Sequence, residues 1–97
     1  MFSEKWSDQA MYDYENIVDH LIENWSKKEA LAFITKTEQI IRMICQMPRM
    51  FPGSMIYPEA RRAVLSKHNT LYYRVLESTI EIITIFDSRQ GKEKLKV

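Results

Sequence analysis

Residues 60–90 read ARRAVLSKHNTLYYRVLESTIEIITIFDSRQ, and this stretch decides the fold. Three runs of strand-forming residues lie in it, at about 60–66, 70–76 and 79–86, broken at 67–69 and again at Glu77 and Ser78. In the second run Leu71, Tyr73 and Val75 alternate with Tyr72, Arg74 and Leu76, the period of a half-buried strand. In the third, Ile80, Ile82, Thr84 and Phe86 alternate with Glu81, Ile83, Ile85 and Asp87. Ile83 and Ile85 make that run apolar on both faces over its second half, as expected of a central strand. The break at Lys67-His68-Asn69 reads as a tight turn, with Asn69 tolerating a positive φ.

Upstream the period changes. Ser7 is a plausible N-cap with Asp8 in the first turn, and Ala10, Met11, Tyr14, Ile17, Val18, Leu21, Ile22 and Trp25 then recur at helical spacing. Ser26-Lys27-Lys28-Glu29 has the form of a capping box. The stripe that follows it is Ala30, Phe33, Ile34, Thr37, Ile40, Ile41 and Ile44. So short a junction predicts an antiparallel helical hairpin. Pro48, Pro52 and Pro58, with Gly53 among them, mark an irregular connector from helix to sheet. Residues 2–6 suggest a short edge strand with Phe2, Glu4 and Trp6 on one side. The fold class expected is α+β, a helical hairpin on one face of a small antiparallel sheet, in the order β-α-α-β-β-β.

With 97 residues the chain has room for one domain, spanning 1–97, and one modest core. It is 45% hydrophobic and 28% charged, ordinary values for a globular protein. No apolar run approaches the roughly 20 residues that span a bilayer, and MFSEKWSDQ lacks the pattern of a signal peptide. A cytoplasmic protein with no membrane partner is expected. The net charge of +1 conceals an asymmetry. Residues 1–47 carry five Lys and Arg against eight Asp and Glu, and residues 48–97 carry nine against five, so the halves stand at −3 and +4. A binding face on the basic sheet half follows.

Signatures of catalysis are missing. Two glycines make no phosphate loop, and no Cys/His set suits zinc. Neither cofactor nor metal is expected. Cys45, the single cysteine, sits beside Ile41 and Ile44 in the helical stripe and reads as a buried thiol. His20 reads as a surface residue between Asp19 and Glu23. His68 stands in a turn next to Lys67, where turn chemistry alone accounts for it. The arginines carry more. Arg61 and Arg62 are adjacent on a strand, so their side chains leave on opposite faces and only one reaches the helix-free side. Arg74 shares a face with Tyr72, and Arg89 follows the third strand. Arginines gathered this way need an anion between them. Glu81 or Asp87 can supply it internally, or a phosphate backbone or an acidic partner segment can supply it from outside.

Taken in order, several segments together resemble the RelE/ParE superfamily of bacterial type II toxins. They are Trp6-Ser7 before the first helix, the Ala30 to Phe33 start of the second, Pro48 and Gly53 in the connector, Arg61-Arg62, Tyr72-Tyr73-Arg74-Val75, and the ending Ile85-Phe86-Asp87-Ser88-Arg89-Gln90. The likeness covers nearly the whole chain. It implies a growth-inhibiting toxin held inactive by a cognate antitoxin, which it would meet through Arg61, Arg62, Arg74 and Arg89, with DNA touched only indirectly through the antitoxin. The superfamily divides between mRNA cleavage on the ribosome, the RelE-like activity, and poisoning of DNA gyrase, the ParE-like one. Cleavage needs an activated 2′-hydroxyl, a neutralised phosphate and a protonated leaving oxygen. Arg61 or Arg62 and Arg89 match the phosphate-clamping arginines of the nuclease branch, with His68 or Tyr72 as further catalytic candidates. GKEKLKV, however, lacks that branch's C-terminal Tyr or His-Tyr, and residues 48–58 hold Arg49 in place of its lysines. The resemblance therefore points to a gyrase-binding, non-enzymatic toxin. Its alternatives are a ribosome-dependent mRNA endonuclease and an inactive member that retains only antitoxin binding.

Overall fold

A computed structural model describes residues 2–88. The elements run β1 (Ser3–Trp6), α1 (Asp8–Asn24), α2 (Lys27–Gln46), β2 (Arg61–Val64), β3 (Asn69–Leu76) and β4 (Thr79–Asp87). Both helices start where their caps dictate. Ser7 Oγ accepts from the Ala10 N–H (3.0 Å) and Ser26 Oγ from the Glu29 N–H (3.1 Å), each satisfying one orphan donor of a first turn. The α2 stripe is buried as its spacing requires, with Ile34 half-buried. Thr37 is tolerated there because its hydroxyl donates to the Phe33 carbonyl (2.8 Å).

The sheet order is β1-β4-β3-β2, with β2–β3 and β3–β4 antiparallel and β1 parallel to β4. The sheet is therefore mixed, where the sequence suggested an antiparallel one. After β1 the chain goes out along α1 and back along α2, so β1 flanks the last strand of the domain rather than the next one. Leu71, Tyr73, Ile80, Ile82 and Ile85 face Ile17, Phe33, Ile40 and Ile44 of the helices and form the core. Fully burying one such aliphatic side chain stabilises by about 1.5–3 kcal/mol.

Two expectations are corrected in detail. A register shift opposite Tyr72 and Tyr73 leaves Ile83 as the extra residue of a β-bulge, because Tyr72 faces Thr84 while Tyr73 faces Ile82. The bulge switches the phase of β4. Ile80 and Ile82 are followed into the core by Ile85, and Phe86 falls on the other face. In α1, Met11 and Ile22 of the expected stripe are 45 and 46% exposed and Trp25, which caps the helix, is 67% exposed, whereas Asp13 is buried. The buried face is narrower because α1 lies along the edge of β4.

That edge explains Asp13. β1 covers β4 only as far as Ile82, so the backbone beyond it would be left unpaired. The Ser7 N–H donates to the Ile82 carbonyl (3.0 Å) and Ser7 Oγ donates to the Ile83 carbonyl (2.6 Å). The Asp13 carboxylate then accepts from the Ile85 N–H (3.2 Å), the Thr84 hydroxyl and Gln9 Nε2 (2.8 Å). The opposite edge is covered by the connector. Gly53 bridges Arg61, the Arg62 N–H donates to the Pro52 carbonyl (3.0 Å), and the Ser54 N–H to the Ala60 carbonyl (2.8 Å).

Candidate functional site

Among the described residues, one face of the sheet carries no helix. In register across it lie Arg62 and Val64 of β2, Thr70, Tyr72 and Arg74 of β3, and Glu81 and Thr84 of β4. The strand period put Arg61 and Arg62 on opposite faces, and the structure shows what each does. Arg61 turns to the helix side, where Nη1 donates to the carbonyls of Phe51 (2.6 Å) and Arg49 (3.3 Å). It clamps the connector. Arg62 is exposed on the open face and forms no ion pair among the described residues.

Arg74 stands opposite Glu81, and its Nε donates to Oε1 at 2.5 Å. The internal carboxylate that adjacent arginines require is thus supplied by Glu81. With 43 and 23% of the two side chains exposed, the pair is worth at most about 1 kcal/mol, and it holds a guanidinium in place more than it holds the fold. Tyr72, on the same face, is covered by the Tyr57 ring (5.4 Å, edge-on), which reaches over from the connector. Burial, then the neighbouring Tyr72 and Asp13, pushes the Tyr57 phenol up from its ordinary value, so it is a poor acid near neutrality.

His68 lies in the β2–β3 turn, its backbone N–H on Ser66 Oγ (3.4 Å) and its carbonyl accepting from the Ser88 N–H (2.8 Å). Four strand positions separate it from Tyr72, roughly 13 Å at about 3.3 Å per residue. The turn closes without using the positive φ that Asn69 tolerates. That residue belongs to β3, and its Oδ1 accepts from the Ser66 hydroxyl (2.7 Å). Arg89 lies outside the described residues. The structure therefore brings Arg62, Tyr72 and Arg74 to one face and leaves Arg61 and His68 apart from it. Among the described residues no group of three or more His, Cys, Asp or Glu is arranged to hold a metal ion, and no helix is long and apolar enough to cross a membrane.

Two residues escaped the sequence reading. Tyr57 shapes the open face from a connector that has no periodicity to read. Asp13 anchors the edge of β4, and its position three residues after Ala10 and four before Ile17, both buried, was the available signal.

A helical hairpin packed on one face of a four-stranded mixed sheet is the frame on which sequence and structure comparisons converge. Residues 5–91 match the model of the ParE toxin of the type II toxin-antitoxin system parDE. The chain belongs to the ParE toxin family. No curated protein sequence matches it significantly. Among solved structures, the chromosomal ParDE system of P. aeruginosa is 24% identical, with 90% of this chain and 96% of that chain covered at a TM-score of 0.75. The YoeB/ParE toxin of Agrobacterium tumefaciens is 16% identical, covering 89% and 98% at 0.67. The YoeB-YefM complex of Staphylococcus aureus is 15% identical, covering 89% and 95% at 0.62. At such identities these likenesses establish the fold, while the family model establishes membership.

Proposed function

We propose that this ParE-family toxin acts by binding DNA gyrase in the cytoplasm and is silenced by a cognate antitoxin lying across the open sheet face. The observation that carries the reading is the state of the candidate catalytic groups. Arg61 is committed to the connector carbonyls, Arg74 to Glu81, Tyr72 is buried under Tyr57, and His68 sits in a distant turn. A guanidinium does not deprotonate a hydroxyl near neutrality, so neither Arg62 nor Arg89, which lies outside the described residues, supplies a general base. A binding toxin needs none. The antitoxin reading draws on the solved relatives, one of them the YoeB-YefM complex, and on Arg62, which forms no ion pair among the described residues, beside exposed Val64. Extended segments add to such surfaces through main-chain bonds and side-chain pockets.

The test is induced expression with plasmid topology, DNA damage and mRNA ends followed in parallel, together with purified gyrase. Gyrase inhibition with intact mRNA is expected. Cuts spaced by codons in translated mRNA would overturn the reading in favour of ribosome-dependent cleavage. Antitoxin binding with neither effect would mark an inactive member.

A further inference from the structure

A concavity lies away from the open face, between the turn of the helical hairpin and the β2–β3 turn, with a volume of about 410 Å³. That is within the range of small-molecule sites, roughly 300–1,000 Å³. Leu21, Phe33 and Leu65 supply apolar walls, and Trp25 stands at its side with 67% of its surface exposed. An indole left in water beside an apolar wall is a ready stacking surface. The rim is cationic. Lys36 and Lys67 are exposed and His68 is half-buried, against Glu29 as the one carboxylate among the described lining residues.

The lining also holds an unsatisfied donor. Asn69 is 5% exposed, its Oδ1 is taken by the Ser66 hydroxyl, and its Nδ2 has no hydrogen-bond partner among the described residues. Buried amide donors are rarely left so. We propose that the cavity binds a small organic carboxylate with an apolar body, its ring or chain against Trp25 and Phe33 and its carboxylate toward Asn69 and the two lysines. The cationic rim selects the anion, and the apolar walls exclude a bare inorganic ion. The site is independent of how the toxin acts on its target.

Titration of the full-length chain with 3-phenylpropionate, followed by NMR at the Trp25 indole N–H and the Asn69 amide, tests this. Saturable shifts at both groups are expected, with a dissociation constant on the order of millimolar for so small a probe. The isosteric 3-phenylpropan-1-ol should bind at least roughly tenfold more weakly, and 3-phenylpropylamine not at all. The double substitution Lys36→Glu and Lys67→Glu, on exposed positions, should abolish saturation with the spectrum otherwise preserved. Asn69→Asp, which keeps the size and the bond to Ser66, should weaken binding about tenfold. If Asn69→Asp fails to fold, the lysine variant carries the decision. Equal binding of acid and amine, shifts at Trp6 in place of Trp25, or binding only of an acidic leucine-containing peptide would each overturn the proposal.

Discussion

Tyr73 is the largest side chain in the core with no exposed surface, and its hydroxyl has to be accounted for. It donates to the Pro48 carbonyl at 2.6 Å, while the Phe51 ring meets its edge at 6.3 Å. One residue thus ties the connector to the sheet from below, next to the Arg61 clamp. Tyr73→Phe should cost about 1–3 kcal/mol in chemical denaturation, since it leaves a buried carbonyl without its donor. Burial pushes the Tyr73 phenol up to about 12, with Arg61 pulling the other way. The unfolded chain releases this proton near pH 10 and the folded one only near 12. Stability from Tyr73 is therefore complete below about pH 10 and lost as pH rises toward 12. The alkaline fall should be shallower in Tyr73→Phe, and an unchanged slope would assign it to other groups. Cys45 obeys the same physics. Burial first, then Glu4, raises its thiol, and the inert core cysteine read from its helical neighbours is what the structure contains.

Among the elements, the β3–β4 hairpin has the one positive-φ residue other than glycine among the described residues. Glu77 follows Leu76 and has φ 44, a left-handed conformation that favours glycine. Leu76 and Thr79 are paired, so two residues must reverse the chain, and a positive φ matches the twist of the strands. Glu77→Gly should raise stability by about 0.5–1 kcal/mol in thermal or urea unfolding, relief of strain outweighing the added chain entropy. A loss would mean that the Glu77 side chain does something its exposure does not suggest. The position of this turn was legible as the break at Glu77 and Ser78, but its strain was not. Similarly, α2 was legible because one spacing runs unbroken from Ala30 to Ile44. In α1 the same reasoning overextended the stripe, because an edge-lying helix buries less than the apolar residues it carries.

For the molecule as a whole, the two adjacent arginines separate fold from function. Arg61→Ala should lower stability by about 1.5–3 kcal/mol, the range for hydrogen bonds to a charged group, by freeing the Phe51 carbonyl and loosening the connector. Arg62→Glu should leave unfolding unchanged and weaken the antitoxin complex by about 2–5 kcal/mol if a carboxylate meets it there. Calorimetry on both variants distinguishes the two roles. Equal affinity for Arg62→Glu would move the antitoxin off this face, and a stable Arg61→Ala would deny the clamp. Among the described residues, the unmatched positive charge on the open face is that of Arg62, since Arg74 is already matched by Glu81.

What the sequence determined by itself is whatever depends on neighbours along the chain: two capped helices, three strand runs with their breaks, a proline-marked connector and the burial of Cys45. Periodicity and capping are local, and residues three or four apart meet whatever the rest of the chain does. Only the tertiary structure decided that β1 runs parallel beside β4, that Ile83 bulges, and which of Arg61 and Arg62 reaches the open face of the sheet. Those outcomes rest on bonds between distant positions, such as Ser7 with Ile83, 76 residues apart, and Asp13 with Thr84, 71 apart. An unpaired strand edge must find donors and acceptors wherever the fold brings them, and no local spacing encodes which residues those will be.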